Sequence, residues 1–457
     1  SVNPSSIARL LMSIISYIVF CFIISDAVVC FPTPGFPVKT NIQLFKISVI
    51  LICIKPSFYV MQIGLLGKAN VGKSTFFSAA TETPVQIGNF PFTTIKPNIG
   101  VAYVNTTCAC KHFRIEHSNP LCISGIRFVP IKLIDVAGLV PGAHEGKGLG
   151  NQFLDDARQA EALIHVVDIS GSTDIQGQQV SVGTHDPNED IKFVEEEFDL
   201  WFKQILEREW QKLSSEIDKK STKPVDAITE RFSGLGVKTH HVHHVLQNLN
   251  LLNKKPKEWD SSDLVKFAQM LRKNTKPMLI AANKADLCED LGITDQIHKN
   301  RDIVNCSAET ELVLKKAAKA NMIDYIPGNE KFVLNKNMNM SSAQKEALKL
   351  VENVLSKLNS TGIQTALNYT VFRTLKMIVV FPVEDETKLS NKDGEVLPDA
   401  KLLPDNATAK NLAEVIHQDI AKGFLFAIDV KTKQRIGADH QLKHGDVIKI
   451  VSSLSRG

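Results

Sequence analysis

The chain has 457 residues, of which 44% are hydrophobic and 22% are charged, proportions that are ordinary for a globular protein. This composition excludes a disordered chain, a collagen and a small disulfide-rich domain, and the length suffices for roughly three domains. The formal net charge of +4 comes largely from residues 1–60, because the other 397 residues carry 49 basic and 48 acidic side chains, so overall charge does not indicate an anionic partner.

Residues 1–60 form an apolar leader, which we set apart from the rest of the chain. Residues 10–25 are an uncharged run of 16, shorter than the roughly 20 residues of a membrane-spanning helix and closer to a signal-peptide core. Met61 precedes the first motif, where a cytosolic protein would be expected to begin. Three interpretations stay open: translated upstream sequence, a membrane-directing segment and a folded extension. We expect a cytoplasmic protein, with membrane contact only if the leader is real.

The first motif is a phosphate-binding loop between a predicted strand at residues 61–66 and a predicted helix that opens at Thr75. The sequence GKANVGKS at residues 67–74 matches G-x-x-x-x-G-K-S/T, a loop whose backbone N–H groups surround phosphate oxygens. We expect Lys73 to bridge the β- and γ-phosphates and the Ser74 hydroxyl to bind Mg²⁺. The predicted nucleotide contacts of this loop are Gly67, Asn70, Val71, Gly72, Lys73, Ser74 and Thr75.

A cysteine cluster follows in the chain. Cys108 and Cys110, with Cys122 and either His112 or His117, could form a zinc site, although C-x-C is a poorer zinc spacing than C-x₂-C. Reduced cysteines beside a β-hairpin are the preferred interpretation, and zinc is the alternative.

A second motif, DVAG, begins at Asp135 directly after a predicted strand at residues 131–134. We expect Asp135 to reach Mg²⁺ through water and the Gly138 N–H to reach the γ-phosphate.

The segment 186–273 is predicted to be a helical insertion. Asp186 and Pro187 are typical of the start of a helix, and the apolar residues that follow recur at intervals of three and four, as on a coiled-coil face. His240 and His244 lie one helical turn apart, but no acid or cysteine is placed to complete a metal site, so we expect a structural or solvent-exposed role. The apolar residues are Ile191, Val194, Phe198, Trp201, Ile205, Leu206, Trp210, Leu213 and Ile217.

The sequence NKAD at residues 283–286 favours guanine as the base. The Asp286 carboxylate can accept hydrogen bonds from the ring N1–H and the exocyclic amine of guanine together, which adenine does not offer. We expect Asn283 to hold the base edge and the loop, and the Lys284 stem to cover the ring. A following loop, NCSAE, is expected near the guanine O6 and contributes Ser307, Ala308 and Glu309.

The C-terminal residues predict a β-grasp domain. Strands are expected at residues 377–381 and 395–397, a helix at 409–417, and further strands at 424–430 and 445–451. Two strands, a helix and then more strands is the order of that fold.

Three segments together resemble the Obg class of GTPases, and within it the archaeal-type members of the YchF subfamily. They are the GKANVGKS loop, NFPFTTIKPNIG from Asn89, and DVAGLVPGAHEGKGLGNQFL from Asp135. The resemblance implies an α/β P-loop GTPase domain, with a mixed, mostly parallel sheet flanked by helices, a helical insertion, and a C-terminal β-grasp domain of the TGS type. The predicted boundaries are 61–185 and 274–372 for the GTPase domain with a linker helix, 186–273 for the insertion, and 373–455 for the TGS domain.

The resemblance also implies roles for single residues. Thr93 or Thr94 would be the first-switch threonine that contacts Mg²⁺ and the γ-phosphate, and we take Thr94 for the site. Leu139 stands where Ras-like enzymes have a water-orienting glutamine, so hydrolysis should be slow without a partner or an ion. Asn70 matches an asparagine that binds K⁺ in some relatives. His144 could orient water, with an exposed loop position as the alternative.

These features predict a GTP-binding and GTP-hydrolysing switch. The TGS resemblance implies contact with RNA or the ribosome, and we expect no DNA partner. Many YchF members depart from N-K-x-D and prefer ATP, so an ATP-preferring enzyme stays an alternative. A nucleotide-gated binding module with incidental hydrolysis is a further one.

Overall fold

The computed structural model describes residues 21–24, 27–30, 61–82, 98–136, 156–299 and 301–454. The chain divides into two units, Ser1–Ser57 and Phe58–Gly457. In the first unit, β1 (Cys21–Ile24) and β2 (Ala27–Cys30) pair antiparallel. Most of the apolar run 10–25 lies outside the described residues, and the interpretations of the leader stay open. Within the described ranges, no helix is both long and apolar enough to cross a membrane.

The second unit is organised around a seven-stranded sheet with the order β4-β6-β3-β7-β8-β9, to which β5 adds by pairing with β6. β4 and β5 run antiparallel to β6, and the other neighbours are parallel. The carboxyl ends of parallel strands meet at one edge, where ligands of open α/β sheets bind. The strands are β3 (Gln62–Leu66), β4 (Ile99–Thr107), β5 (Cys122–Ile123), β6 (Ile126–Asp135), β7 (Ala162–Asp168), β8 (Met278–Asn283) and β9 (Ile303–Asn305).

Helices cover both faces of this sheet and continue into the C-terminal region. In chain order they are α1 (Lys73–Thr81), α2 (Ala109–Phe113), α3 (Pro187–Lys220), α4 (Pro224–Phe232), α5 (Thr239–Asn248), α6 (Ser261–Thr275), α7 (Gly292–His298), α8 (Ala308–Lys319), α9 (Ser342–Leu358), α10 (Ile363–Asn368, continued by a π-helix at Tyr369–Thr374), α11 (Ala409–Ile416) and α12 (Gln418–Lys422).

The predicted helical insertion is present as α3 to α6. The Asp186 side chain accepts a hydrogen bond from the Asn188 N–H at 2.9 Å, and Pro187 occupies the first turn, as the capping pattern predicts. The predicted apolar residues of α3 are buried, except that Ile205 is half-buried. Apart from Ile191, they belong to one cluster that also contains Leu66 and Leu163 of the sheet, so the insertion and one sheet face share a core. Within the described part of the chain, the α5 histidines belong to no group of metal ligands.

The C-terminal domain is a five-stranded sheet with the order β13-β12-β16-β14-β15, in which β12 and β16 are parallel. The strands are β12 (Met377–Val383), β13 (Lys401–Pro404), β14 (Phe424–Asp429), β15 (Gln434–Ile436) and β16 (Val447–Ser452); a separate short pair consists of β10 (Ile323–Asp324) and β11 (Val333–Leu334).

The side chains of β12 alternate between two cores. Val379 and Phe381 join the core under the seven-stranded sheet, whereas Ile378 and Val380 join the core of the C-terminal domain. The strand predicted at 395–397 is reduced to an isolated antiparallel bridge between Val396 and Ser390, and the strand after β12 is β13. Leu397 has a left-handed φ of 46° and precedes a proline, which has no N–H to donate to a neighbouring strand. The predicted fold class is nevertheless confirmed, including the helical insertion and the β-grasp domain.

Candidate nucleotide-binding site

The loop at residues 67–74 joins β3 to α1, and Gly72 is the N-cap residue of α1. Gly72 has a φ of +88°, a region that favours glycine, and a Cβ at this position would collide with the Asn283 side-chain amide. Its carbonyl accepts the first helical hydrogen bond from the Phe76 N–H at 2.8 Å. The Ser74 side chain is exposed in the first turn of the helix. The loop thus brings backbone N–H groups and one hydroxyl to the edge of the sheet.

Lys73 and Asp135, the residues predicted for the phosphates and for Mg²⁺, lie together. The Lys73 ammonium group forms an ion pair with the Asp135 carboxylate. The pairing of β3 with β6 sets this contact, because Leu65 stands opposite Asp135 in the parallel register. A cation, a carboxylate and the Ser74 hydroxyl therefore converge beside the loop, which is a donor set suited to phosphate and Mg²⁺.

Asn283 connects the three loops of the site. Its Nδ2 donates to the Val71 carbonyl at 2.9 Å, and its Oδ1 accepts from the Ala308 N–H at 3.0 Å. Since the side chain is buried and uses both ends of its amide, it fixes the NKAD loop against the phosphate loop. Sequence reasoning anticipated a loop-holding role for this residue, while its contact with a base stays a prediction.

Asp286 lies in a short 3₁₀ turn, Ala285–Leu287, and is partly exposed. Its carboxylate makes no hydrogen bond or ion pair with another described residue. In contrast to Asp135, its acceptor capacity is therefore available to a ligand at this edge of the sheet.

Lys284 is held by Asp168, a residue that the sequence analysis missed. Lys284 has a φ of 61°, and its Nζ donates to Asp168 Oδ2 at 2.8 Å. Asp168 is fully buried at the end of β7 and also accepts from the hydroxyls of Ser170 at 2.5 Å, Ser172 at 2.7 Å and Thr173 at 3.0 Å. Burial would raise the pKa of Asp168, but the hydrogen bonds from Lys284 and the hydroxyls outweigh it and lower that pKa. The sequence pattern that could have identified Asp168 is an acidic residue at the end of a buried strand, followed by a turn rich in Ser and Thr.

The segment that follows Asp168 lies over the phosphate loop. Lys68 is 3% exposed and its Nζ donates to the carbonyls of Thr173 at 3.0 Å and Asp174 at 2.6 Å. The Asn70 Nδ2 donates to the Gly177 carbonyl at 2.8 Å. The predicted K⁺ ligand therefore uses its amide N–H₂ internally, and its Oδ1 makes no hydrogen bond with a described residue.

The last loop differs in part from the expectation. β9 ends at Asn305 and α8 already begins at Ala308, so Ala308 and Glu309 belong to a helix instead of a loop. Ser307 is fully buried, its N–H donates to the Thr361 carbonyl at 2.8 Å, and its hydroxyl donates to Thr310 Oγ1 at 2.7 Å. The hydroxyl of Ser307 thus stabilises the turn, and the backbone is what this loop can present to a base.

Five residues with a predicted or compared role in the site lie outside the described residues. Their predicted roles stay predictions. They are Thr93, Thr94, Gly138, Leu139 and His144.

The fold and the loops at the carboxyl edge of its sheet define a P-loop nucleotide-binding protein. Residues 62–197 match the family described as 50S ribosome-binding GTPase. Residues 281–385 match the one described as Obg-like GTPase YGR210-like, G4 motif-containing domain, and residues 393–452 match the TGS domain.

Relatives that align with this chain over most of their own length agree with these family matches. An uncharacterised GTP-binding protein of Methanocaldococcus jannaschii is 44% identical over 86% of this chain and 99% of its own length. A crystal structure of a GTP-binding protein from Pyrococcus horikoshii OT3 is 39% identical, with a TM-score of 0.69 over 86% of this chain and all of that one. A ribosome-binding ATPase YchF of Buchnera aphidicola is 29% identical over 80% of this chain and 88% of its own length. The chain belongs to the Obg-like GTPases of the YchF type.

Proposed function

We propose that this GTPase is a guanine-specific switch that binds GTP with Mg²⁺, hydrolyses it slowly when alone, and acts on the ribosome. The observation that carries the base preference is the Asp286 carboxylate, which has no partner among the described residues and stands in the loop that Asn283 ties to the phosphate loop. A carboxylate in this position matches the two neighbouring N–H donors of guanine. With adenine it would stay unpaired, which costs binding free energy.

The phosphate side of the site supports triphosphate binding. Lys73 is poised to exchange its ion pair with Asp135 for the β- and γ-phosphates, which would release the carboxylate toward hydrated Mg²⁺. Bound Mg²⁺ would neutralise phosphate charge, and Ser74 and Thr94 are its proposed direct ligands. The Gly138 N–H is the proposed donor to the γ-phosphate.

Slow unaided hydrolysis follows from the second switch. Leu139 cannot orient water by hydrogen bonding, so a partner, an ion or His144 must supply that role. The Asn70 Oδ1 is the proposed protein ligand for K⁺, whose charge beside the phosphates would stabilise the transition state. We therefore expect phosphate release to be faster in KCl than in NaCl at equal ionic strength.

Action on the ribosome is supported by the TGS match and by the name of the Buchnera relative, a ribosome-binding ATPase. The charge of the chain after residue 60 does not add support, because it is nearly neutral. Co-sedimentation with ribosomes in a non-hydrolysable GTP analogue, compared with GDP, tests this part of the proposal. Equal pelleting in both states, or none, would contradict a nucleotide-dependent contact.

The name of the same relative also favours the second candidate, an ATP-preferring enzyme. Displacement of a fluorescent GDP analogue by unlabelled GDP and by ADP separates the two functions. Guanine specificity predicts that ADP displaces the probe only at concentrations at least roughly 100-fold higher than GDP, given the cost of unpaired polar groups in the site. Equal displacement by the two nucleotides would contradict guanine specificity, and displacement by ADP at lower concentrations than GDP would favour the ATP-preferring enzyme.

A further inference from the structure

Three cysteines and one histidine converge between β4 and β6, away from the nucleotide site. We infer that Cys108, Cys110, His117 and Cys122 bind a structural zinc ion. One ligand atom from each residue lies within 4.8 Å of those of the other three. Three soft sulfur ligands and one imidazole are a set that zinc binds tetrahedrally in closed structural sites.

The local fold explains why the C-x-C spacing is not an obstacle. Cys108 is the extended N-cap residue of α2 and Cys110 lies in the first turn of that helix, so their side chains leave the backbone from different conformations. The chain then returns through His117 to Cys122 on β5. The Cys108 N–H closes this excursion by donating to the Gly125 carbonyl at 2.9 Å. The four side chains are therefore brought together by a helix cap and a hairpin.

The distances fit a tetrahedral metal. Cys110 Sγ and Cys122 Sγ are 3.9 Å apart, and Cys108 Sγ lies 3.6 Å from His117 Nε2. Ligands at the usual Zn–S distance of about 2.3 Å and Zn–N distance of about 2.0 Å are separated by roughly 3.5 to 3.8 Å in a tetrahedron. Ligation through Nε2 places the ring proton on Nδ1, so the 3.4 Å contact from the Asn119 N–H to Nδ1 must then open.

Backbone N–H groups stabilise the charged form of the sulfurs. Burial raises the pKa of all three thiols, and hydrogen bonds from the N–H groups of Cys110 to Cys108, of Lys111 to Cys110 and of Gly125 to Cys122 act against that rise. Gly125 has a φ of +76°, and a Cβ there would collide with the Lys111 side chain. Donors of this kind orient and stabilise thiolate ligands around a metal.

A buried cation balances the negative charge of such a centre. Three thiolates, a neutral imidazole and Zn²⁺ carry a net charge of −1. The Arg127 side chain stands opposite Cys122 in the β5–β6 register, is 1% exposed, and its Nε has no hydrogen-bond partner among the described residues. Negative charge on the three sulfurs, and on Asp399, would stabilise this guanidinium. The zinc–thiolate centre and Arg127 would thus be counter-ions.

The site also faces the TGS domain. Arg127 Nη1 and Nη2 donate to the carbonyls of Leu397 at 3.0 Å and Pro398 at 2.9 Å. Asn119 Nδ2, between two of the ligands, donates to the same carbonyls at 3.0 and 3.1 Å. A metal that orders residues 108–122 would therefore fix the surface on which this loop of the C-terminal domain rests.

The test uses the full chain, purified under reducing conditions without chelators, and measures bound metal by mass spectrometry. We expect about one zinc ion per chain. Titration of metal-free protein with Co²⁺ should give thiolate-to-cobalt charge-transfer bands and the d–d bands of a tetrahedral site. Both readouts are independent of nucleotide hydrolysis.

Variants separate the site from the other thiols and histidines. Cys108→Ser and Cys122→Ser should lose the metal, and His117→Cys should keep it because a fourth thiolate replaces the imidazole. Cys288→Ser, outside the cluster, and His112→Ala, exposed on α2, should retain full zinc content. If a ligand variant does not fold, the Co²⁺ spectrum of the unmodified chain still tests whether the four residues bind a metal. Absence of stoichiometric zinc and of cobalt bands, equal metal loss in Cys288→Ser, or a Cys110–Cys122 disulfide in the freshly purified chain would overturn the inference.

Discussion

Lys68 of the phosphate loop and Asp190 of the insertion helix α3 form a buried ion pair with a nitrogen–oxygen distance of 2.7 Å. Both side chains are almost inaccessible to solvent, and His185 Nε2 lies 2.7 Å from Asp190 Oδ1. The pair joins residues that are 122 positions apart in the chain. The loop that holds phosphates is thereby coupled directly to the first turn of the inserted domain.

Breaking this pair should loosen the phosphate loop. Asp190→Asn leaves the Lys68 ammonium group buried without its carboxylate, and the loss of one partner of a buried pair costs about 3 to 5 kcal/mol. We expect a large fall in the free energy of unfolding, measured with urea, and weaker nucleotide binding. The double variant Lys68→Met/Asp190→Leu removes both charges and should recover part of the stability, because the carbonyls of Thr173 and Asp174 and the His185 ring then lose their partners. An equally unstable double variant would contradict the assignment of the cost to an unpaired charge.

Asp168 should act as a positioning residue for Lys284. Asp168→Asn removes the charge that attracts the Lys284 ammonium group but preserves the size of the side chain. A hydrogen bond between charged groups contributes about 1.5 to 3 kcal/mol, so nucleotide affinity should fall roughly 10- to 100-fold. Ser172→Ala, which removes one hydroxyl donor to the same carboxylate, should weaken binding by less. Unchanged affinity in Asp168→Asn, measured by calorimetry, would exclude this role.

Gly72 and Gly183 offer a matched pair for the phosphate loop. Both have a left-handed φ, +88° and +81°, but a Cβ at Gly72 collides with the Asn283 amide, whereas a Cβ at Gly183 meets no atom within 4 Å. Gly183→Ala should cost only the backbone strain of about 1 to 2 kcal/mol. Gly72→Ala should cost more and abolish nucleotide binding. If the two variants have comparable stability and nucleotide affinity, the close approach of the Asn283 amide to Gly72 is not essential.

His165 should make stability depend on pH. It is buried in β7, and burial is the main cause that lowers its pKa from a usual 6.5 to about 4. The charge of Glu195 acts to raise this pKa and the charge of Arg301 acts to lower it. The unfolded chain therefore binds a proton more readily between pH 6.5 and 4, and the free energy of unfolding falls as the pH falls through that range. The full contribution is about 3 kcal/mol.

Urea unfolding at several pH values, compared with His165→Gln, measures this contribution. The ion pair of Arg301 with Glu195 is present in both proteins, so the difference between their pH profiles isolates the imidazole. Parallel profiles from pH 6.5 to 4 would contradict a neutral buried histidine.

The sequence predicted those parts of the site that are set by short motifs at strand ends. The phosphate loop, Asp135 and the NKAD loop follow β3, β6 and β8, because their residue types and flanking strands are local signals. Lys68 escaped prediction because its role depends on Thr173, 105 residues away in the chain, and the role of Asp168 depends on Lys284, 116 residues away. No local pattern encodes these contacts.

Two other outcomes show how backbone conformation limits such reasoning. The apolar pattern at 395–397 predicted a strand, but Leu397 adopts a left-handed φ before a proline. The C-x-C spacing made zinc the less favoured interpretation of the cysteine cluster, whereas the helix cap at Cys108 brings its sulfur to 3.6 Å from His117 Nε2. In both places the conformation of a single residue, which periodicity does not report, decided the structure.

The most direct test of the guanine assignment is nucleotide binding by Asp286→Asn. An amide offers an N–H donor in place of a carboxylate oxygen, and xanthine carries a carbonyl where guanine has its exocyclic amine. We expect calorimetry to show GDP affinity reduced by roughly 100-fold, with a gain in affinity for xanthosine diphosphate, while Glu289→Gln on the same exposed loop binds GDP normally. Unchanged GDP affinity in Asp286→Asn, with no gain for the xanthine nucleotide, would contradict a guanine-specific site.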